Sequence, residues 1–423
     1  MSELHVLVEG ATMGRLIEDP HGRLTFQYFG DWLYSQNSFP WSTSMPLVDV
    51  PIKHRRVAPF LWNLLPESPG VLQLWGHQYG VSPNNPLRLL TFVGEDLTGA
   101  AQLIPPERAH DYLTGQVSSI AWLTLDELDR RILTVKNNAA AMRLPGDVGR
   151  MSLAGVQAKT ALYFDGARWG VPAGRAATSH ILKPVIPGFP GIVENEHLCQ
   201  DIAARVGLPA ARSWVLNLSE PVIVVERYDR LAPQQPGGLL RRVHQEDFCQ
   251  ALGLMPRLKY QQDGGPGMKQ CVELVRRVSL AADEDVWRML QAQMLNWYIG
   301  GTDAHAKNYS ILIAPEGARL APLYDVSSQL PYTDQIPQRL AMKVGDKYEV
   351  AHIGLDDWKT LANQCKVDEA GLVTRLQQMG QALPDHINDA RAQARRDGLN
   401  EQIVEPLTAL LIEHVHARRM ALG

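Results

Sequence analysis

The amino-acid sequence predicts an α+β fold. Two patterns carry this reading. Period-two apolar alternation dominates the first part of the chain, and helical periodicity dominates from residue 245 onward. The order is strands first and helices later, not alternating βαβ units. A length of 423 residues suggests two or three packed units. With 45% hydrophobic and 20% charged residues, the composition excludes disorder, collagen and coiled coil as the main architecture.

Leu4, Val6 and Val8 alternate as a strand, and Asp19-Pro20-His21-Gly22 forms a turn before Leu24, Phe26 and Tyr28. Residues 60–66 and 71–79 read as short helical pieces, 86–104 as a helix followed by a strand, and 106–123 as a loose polar stretch. A helix begins at Thr124, with Glu127 completing a capping box. Residues 158–172 read as a hairpin around a two-residue Asp165-Gly166 turn. A strand at 180–183 ends before Pro184, a helix at 194–206 stops at Gly207, and strands follow at 211–217 and 221–227. The strongest helical pattern is 285–299, ending at Gly300-Gly301, with strands at 309–313 and 319–324 beyond it. Residues 350–423 return to helix.

The formal net charge is −4, so no global positive field draws the whole chain to nucleic acid. The cysteines Cys199, Cys249, Cys271 and Cys365 lack CxxC spacing, which speaks against a zinc site or a disulfide framework and fits a reducing cytoplasm. Neither a signal peptide nor a run of about 18 apolar residues is apparent, so no membrane association is expected. His414 and His416, and the run Arg391, Arg395 and Arg396, read as solvated helix positions.

The densest chemistry is Gly301-Thr302-Asp303-Ala304-His305-Ala306-Lys307-Asn308. Asp303 and Asn308 stand five apart, the spacing of a protein-kinase catalytic loop, in which Asp accepts the hydroxyl proton and Asn holds Mg²⁺. Alone, D-x-x-x-x-N arises by chance about once in a chain this long, and an Asp capping a turn with an Asn in a polar loop is the commoner explanation. Asp325, placed after the second strand, adds a second hard-oxygen ligand of the kind Mg²⁺ requires. Lys183 ends an apolar strand, a costly place for a charge unless paired; a kinase pairs such a Lys with a helix Glu, here Glu194 or Glu196. The sequence lacks G-x-G-x-x-G, but the segment 152–159 offers Gly155 among small neighbours, a possible anion nest.

Taken in order, these motifs make the chain resemble the HipA family of bacterial Ser/Thr kinase toxins over essentially its full length. The matching stretches are 42–47, 63–70 (NLLPESPG), 152–162 (SLAGVQAKTAL), 181–184, 226–230 (ERYDR), 245–253 (QEDFCQALG), 259–267 (KYQQDGGPG), 299–311 and 322–325. The resemblance implies a two-lobed, protein-kinase-like fold. Residues 1–105 would form a small N-terminal α+β subdomain, 106–228 the N-lobe with phosphate loop and hinge, and 229–423 the helical C-lobe with the catalytic loop.

It further implies ATP and Mg²⁺ as cofactors. Asp303 would be the base, and Asn308 and Asp325 the metal ligands. The phosphate loop would comprise Ala154, Gly155, Val156, Gln157, Ala158 and Lys159, with Lys183 on phosphates. Glu226, Arg227 and Tyr228 would form the hinge at adenine, and His305, Lys307 and Tyr324 would complete the nucleotide site. Ser152 matches the serine that such kinases autophosphorylate. The implied partners are a HipB-like helix-turn-helix antitoxin, operator DNA reached through it, and an aminoacyl-tRNA synthetase as substrate, whose phosphorylation causes growth arrest and persistence. Two alternatives stand beside this reading: a catalytically idle kinase fold serving as co-repressor, and a small-molecule or lipid kinase. Ala158 departs from the acidic residue the family carries beside the phosphate-loop Lys.

Overall fold

The computed structural model describes residues 2–115, 118–142, 144, 147, 149–235 and 237–423. They form two compact units. One comprises Met1–Ile186, Leu218–Pro256 and Ile311–Ala318; the other comprises Pro187–Asn217, Arg257–Ser310 and Arg319–Gly423.

In the first unit, the N-terminal strands form an antiparallel sheet in the order Ile52–Lys53, Leu24–Tyr28, Ala11–Glu18, Ser2–Val8, Ala101–Ile104. The alternation read from the sequence is the burial pattern itself: Leu24, Phe26 and Tyr28 point inward while Thr25 and Gln27 are only half-buried. The Tyr28 hydroxyl is satisfied in the core, donating to the Met45 carbonyl (2.6 Å) and accepting from the Trp41 amide (2.8 Å). A second sheet places Pro221–Glu226, His180–Pro184, Thr160–Phe164, Trp169–Gly174 and Ser118–Leu123 side by side in that order.

Several local readings need correction. The first helical piece is His54–Trp62, several residues upstream of the expected position, because its start carries no side-chain cap that the sequence could announce. The polar stretch after residue 105 holds a helix, Pro106–Thr114, and a strand, Ser118–Leu123. That strand is exposed or half-buried throughout, so it has no alternation to read. Asp165 accepts from the amides of Ala167 and Arg168, which makes the hairpin connection a four-residue loop instead of a two-residue turn. The chain after Val243 first forms a strand, His244–Asp247.

The ERYDR segment builds the most charged part of this unit's interior. Arg227 grips Asp229 with Nε (3.0 Å) and Nη2 (2.9 Å), and Arg230 reaches Asp96 (2.8 Å) and Asp229 (3.0 Å). Arg242 joins at 3.4 Å from Asp96. The Gly99 backbone amide (2.7 Å) and Gln245 Nε2 (2.9 Å) also donate to Asp229. All five charged side chains are buried. Burial pushes the Asp96 carboxyl up, but the Arg230, Arg227 and Arg242 guanidiniums overcome it and hold it at about 2.

The second unit is helical. Ala282–Ile299, Glu369–Arg396 and Glu401–Met420 pack around Trp297, Tyr298 and Trp358. Asp285, in the first turn of Ala282–Ile299, is fully buried; it accepts from Ser279 Oγ (2.6 Å), Arg319 Nε (2.9 Å) and the Leu320 amide (2.9 Å). This fixes the helix whose other end leads to the turn at residues 300–308. His414 is not solvated: it is half-buried, lies 3.3 Å from the Trp297 carbonyl through Nε2, and is pushed down to about 4 by burial. Arg391 and Arg395 both pair with Glu405 on the neighbouring helix, at 3.6 and 2.7 Å. Among the described residues, no helix is long and apolar enough to cross a membrane.

Candidate active site

The helix Ala282–Ile299 ends in two glycines for two different reasons. Gly300 has φ +66°, a left-handed conformation that closes the helix. Gly301 has no room for a side chain, since a Cβ there would lie 2.4 Å from Asn296 Oδ1. The Gly301 amide donates to the Asn296 carbonyl (2.7 Å) and the Gln329 amide to the Gly300 carbonyl (2.9 Å). The chain is thereby turned sharply into Thr302, buried, and Asp303, exposed.

Asp303 and Asn308 then bracket a tight turn. The amides of His305 and Asn308 donate to the carbonyls of Asp303 (2.8 Å) and His305 (2.9 Å). The Asn308 side chain reaches Asp325, Nδ2 donating to Oδ2 at 3.0 Å, while its Oδ1 accepts the His305 amide at 3.3 Å. Two of the residues singled out in the sequence, 17 positions apart, are therefore one contact. The route to it differs from the expected one. The second strand is Gly317–Leu320, so Asp325 does not follow directly on it. It sits at the end of the Pro322-Leu323-Tyr324 connection with φ +59°. A non-glycine residue in the left-handed region is uncommon, and such strain gathers at functional sites.

Tyr324 and the remaining loop residues hold this turn in place. The Tyr324 hydroxyl donates to the Lys307 carbonyl (2.6 Å) and lies 2.7 Å from Ser310 Oγ. Lys307 and His305 are buried. Burial, then the neighbouring Lys259 and Lys307 charges, push the His305 imidazole down to about 3 despite Asp325. It is therefore neutral at physiological pH. Because the folded-state value lies below the ordinary 6.5, protonation favours the unfolded chain. The stability due to neutral His305 is complete above about pH 6.5 and is lost progressively as pH falls from there toward the folded-state value. In a ¹H–¹⁵N imidazole titration, His305 is expected to stay neutral from pH 8 to pH 5. A midpoint near 6.5 would contradict this placement.

One residue the sequence reading gave no role is also here. Tyr260, from the KYQQDGGPG stretch, donates its hydroxyl to Asp303 Oδ1 at 2.6 Å. The stretch was visible as a motif; its proximity to Asp303, 43 residues away, was not.

The remaining candidate residues lie in the first unit. Gly155 has φ +106°, and a Cβ there would lie 2.7 Å from Lys159 Nζ. Lys159 curls over the loop and donates to the Ala154 carbonyl at 2.9 Å. Gln157 and Ala158 are half-buried and Val156 is exposed. Ser152 is 1% exposed, its hydroxyl donating to the Leu64 carbonyl at 2.8 Å. Lys183 is buried at 6% exposure on the strand His180–Pro184, in register with Ile223. Glu226 ends the next strand and Tyr228 donates to Gln245 Oε1. The Arg227 guanidinium is committed to the buried ion-pair network, and its amide donates to the Ser179 carbonyl (2.9 Å). Glu194 and Glu196 are buried on the helix Ile192–Arg205 of the second unit, and burial raises Glu194.

Asn308 and Asp325 supply only oxygen among their metal-competent atoms. Among the described residues, no three His, Cys, Asp or Glu side chains gather as a metal-binding group. A two-residue oxygen set suits Mg²⁺, which takes one or two protein ligands and completes its shell with phosphates and water, and does not suit a dedicated zinc or calcium cage.

Comparisons with known proteins identify the family and the fold. The HipA N-terminal domain model matches residues 4–104 and the HipA-like C-terminal domain model residues 151–387. The chain is 39% identical over 367 residues to Y4mE of Sinorhizobium fredii, a kinase by its provisional name, covering 86% of each protein. It is 31% identical over 341 residues to the serine/threonine-protein kinase toxin HipA of Shewanella oneidensis, covering 76% of this chain and 73% of that one. A solved complex of Shewanella oneidensis HipA, HipB and operator DNA contains a chain that superposes with a TM-score of 0.82 at 25% identity, covering 99% of this chain and 98% of that one. The fold is thus the kinase-like α+β fold expected from the sequence, and the chain belongs to the HipA family of toxin kinases.

Proposed function

We propose that this protein is a Ser/Thr protein kinase that uses Mg-ATP, with Asp303 as the base that accepts the proton of the acceptor hydroxyl. The observation that carries this is the contact of Asn308 with Asp325 beside an exposed Asp303 on a glycine-closed turn. It supports this reading because a kinase catalytic loop likewise sets an Asp base apart from an Asn and an Asp that hold the metal. Mg²⁺ supplies charge neutralisation across the transferred phosphates when bound. Asn308 and Asp325 would hold it. Lys183 and the 154–159 loop would hold phosphates, and the segment 226–228 would meet adenine. For Arg227, only main-chain contact is open to it, because its side chain is held by Asp229. Catalysis here is mainly positioning and electrostatics.

We place the protein in a HipA/HipB-like toxin–antitoxin pair in the cytoplasm. Its partners would be a helix-turn-helix antitoxin, with operator DNA reached through it to co-repress the operon. Its substrate would be a translation protein, an aminoacyl-tRNA synthetase by preference, and phosphorylation would cause growth arrest and persistence. Transfer from [γ-³²P]ATP to purified synthetases, glutamyl-tRNA synthetase first, tests the substrate class. Labelling of other proteins only would overturn it. Replacing Asp325 by Asn is expected to weaken Mg²⁺-dependent ATP binding on the order of 100-fold or more. Unchanged affinity by calorimetry would remove Asp325 from the metal site.

Ser152 would be the autophosphorylation site. Its hydroxyl is buried against the Leu64 carbonyl, a place that cannot accommodate a dianionic phosphate without expelling the loop. Protein phosphorylated at Ser152 is therefore expected to bind ATP more weakly than unmodified protein. Equal affinity would contradict the autoinhibitory role.

A further inference from the structure

Tyr260 belongs to a segment built to hold it still. It lies between two short helical turns, Pro256–Leu258 and Gln261–Asp263. Its carbonyl accepts the amides of Asp263 (3.1 Å) and Gly265 (2.9 Å). Gly264 has φ +90°, and a Cβ on Gly265 would stand 2.1 Å from the Leu258 carbonyl oxygen and 2.7 Å from that of Tyr260. Gly264 supplies the left-handed conformation and Gly265 the space that this turn requires. Gln261 Oε1 accepts the Lys343 amide at 2.8 Å. The segment is also tied to the catalytic turn directly, the Ala306 amide donating to the Lys259 carbonyl at 3.1 Å. The Tyr260 ring meets the buried His305 imidazole edge to face, with centroids 4.9 Å apart. From this mount the phenol donates to Asp303 Oδ1 at 2.6 Å, the length of a charge-assisted O–H···O⁻ bond.

Asp303 needs such a partner. Its side chain is exposed, and an exposed carboxylate samples several rotamers. A misplacement of about 1 Å at a reacting group can cost on the order of 100-fold in rate. We infer that Tyr260 is a positioning residue for Asp303: its phenol pins one carboxylate oxygen, so that the carboxylate meets the acceptor hydroxyl in one orientation. This rests on the kinase reading above. A different role has the opposite consequence. A phenol hydrogen-bonded to the base could stand where the acceptor hydroxyl belongs and block it. The backbone ties, the glycine turn and the packing on His305 favour the positioner, because a plug must leave and this side chain is mounted to stay.

The test is steady-state phosphoryl transfer by the full-length protein carrying Tyr260→Phe, alone and combined with Asp303→Ala, with thermal midpoints measured alongside. The substitution keeps the ring against His305 and removes only the hydroxyl. The expected result is a kcat lower by roughly 10- to 100-fold, with the KM for ATP and the midpoint unchanged. No further loss is expected in the Asp303→Ala background, because the two residues act as a unit. An unchanged kcat, a loss in KM alone, or an equal loss in both backgrounds would overturn the inference. A raised kcat would identify the phenol as a plug. Wild-type protein that binds ATP but transfers nothing would instead overturn the kinase reading, and the inference with it.

Discussion

Asp303→Ala is expected to lower phosphoryl transfer by about 10²- to 10⁴-fold, the range that a positioned general base contributes, while leaving ATP binding intact. Asp303 is exposed at the mouth of the turn, where its Oδ1 accepts from the Tyr260 hydroxyl. Asn308 and Asp325, the candidate ion ligands, contact each other without it. The variant should therefore fold, titrate with ATP in calorimetry as the wild type does, and fail in transfer. Near-normal transfer would mean that another group takes the proton. Lost ATP binding would mean that Asp303 belongs to the nucleotide site.

The second large effect concerns stability. Asp229→Ala is expected to cost about 3–5 kcal/mol, the penalty for breaking a buried ion pair by removing one partner. The loss would leave Arg227, Arg230 and Arg242 buried around Asp96 alone, and would remove the acceptor of the Gly99 amide and of Gln245 Nε2. Removing an exposed partner such as Lys359, 3.6 Å from a nearly fully exposed Asp356, should fall within about 1 kcal/mol. Urea midpoints of the two variants compare them directly, and equal midpoints would contradict the assignment. The same network sets an acid limit. Asp96 is held at about 2, below its ordinary 3.8, and Asp229 is held well below the usual carboxylate range. Their contribution is therefore complete above about pH 4 and is lost as pH falls toward 2.

Legibility in the sequence followed the physics of each signal. The N-terminal sheet was readable because one face is buried, so burial and sequence share a period of two. The strand Ser118–Leu123 was not, because neither face is buried. The helix Thr124 caps was readable from a capping box that the structure contains; the helix His54–Trp62 has no such cap. At the site, Asp303 and Asn308 were legible by spacing, and Asp325 by its place after a pair of strands. The strand ended at Leu320, earlier than the apolar run suggested, and the remaining connection reaches Asp325 through a left-handed turn. Tyr260 was hidden because its partner is 43 residues distant, although the double glycine beside it marked a strained turn. Arg227 was read as part of a hinge at adenine; its side chain pairs with Asp229 two residues on and reaches Thr178 and the Leu97 carbonyl, 49 and 130 residues away, partners that no local pattern announces.

The central claim is phosphoryl transfer to serine by this chain. Peptide mass spectrometry of purified, initially unphosphorylated protein, incubated with Mg²⁺ and ATP beside its Asp303→Ala variant, tests it most directly. The account predicts a phosphate on Ser152 in the wild type and none in the variant. Protein that binds ATP yet gains no phosphate on itself or on any protein in a cell extract would contradict it and leave a kinase fold without kinase chemistry.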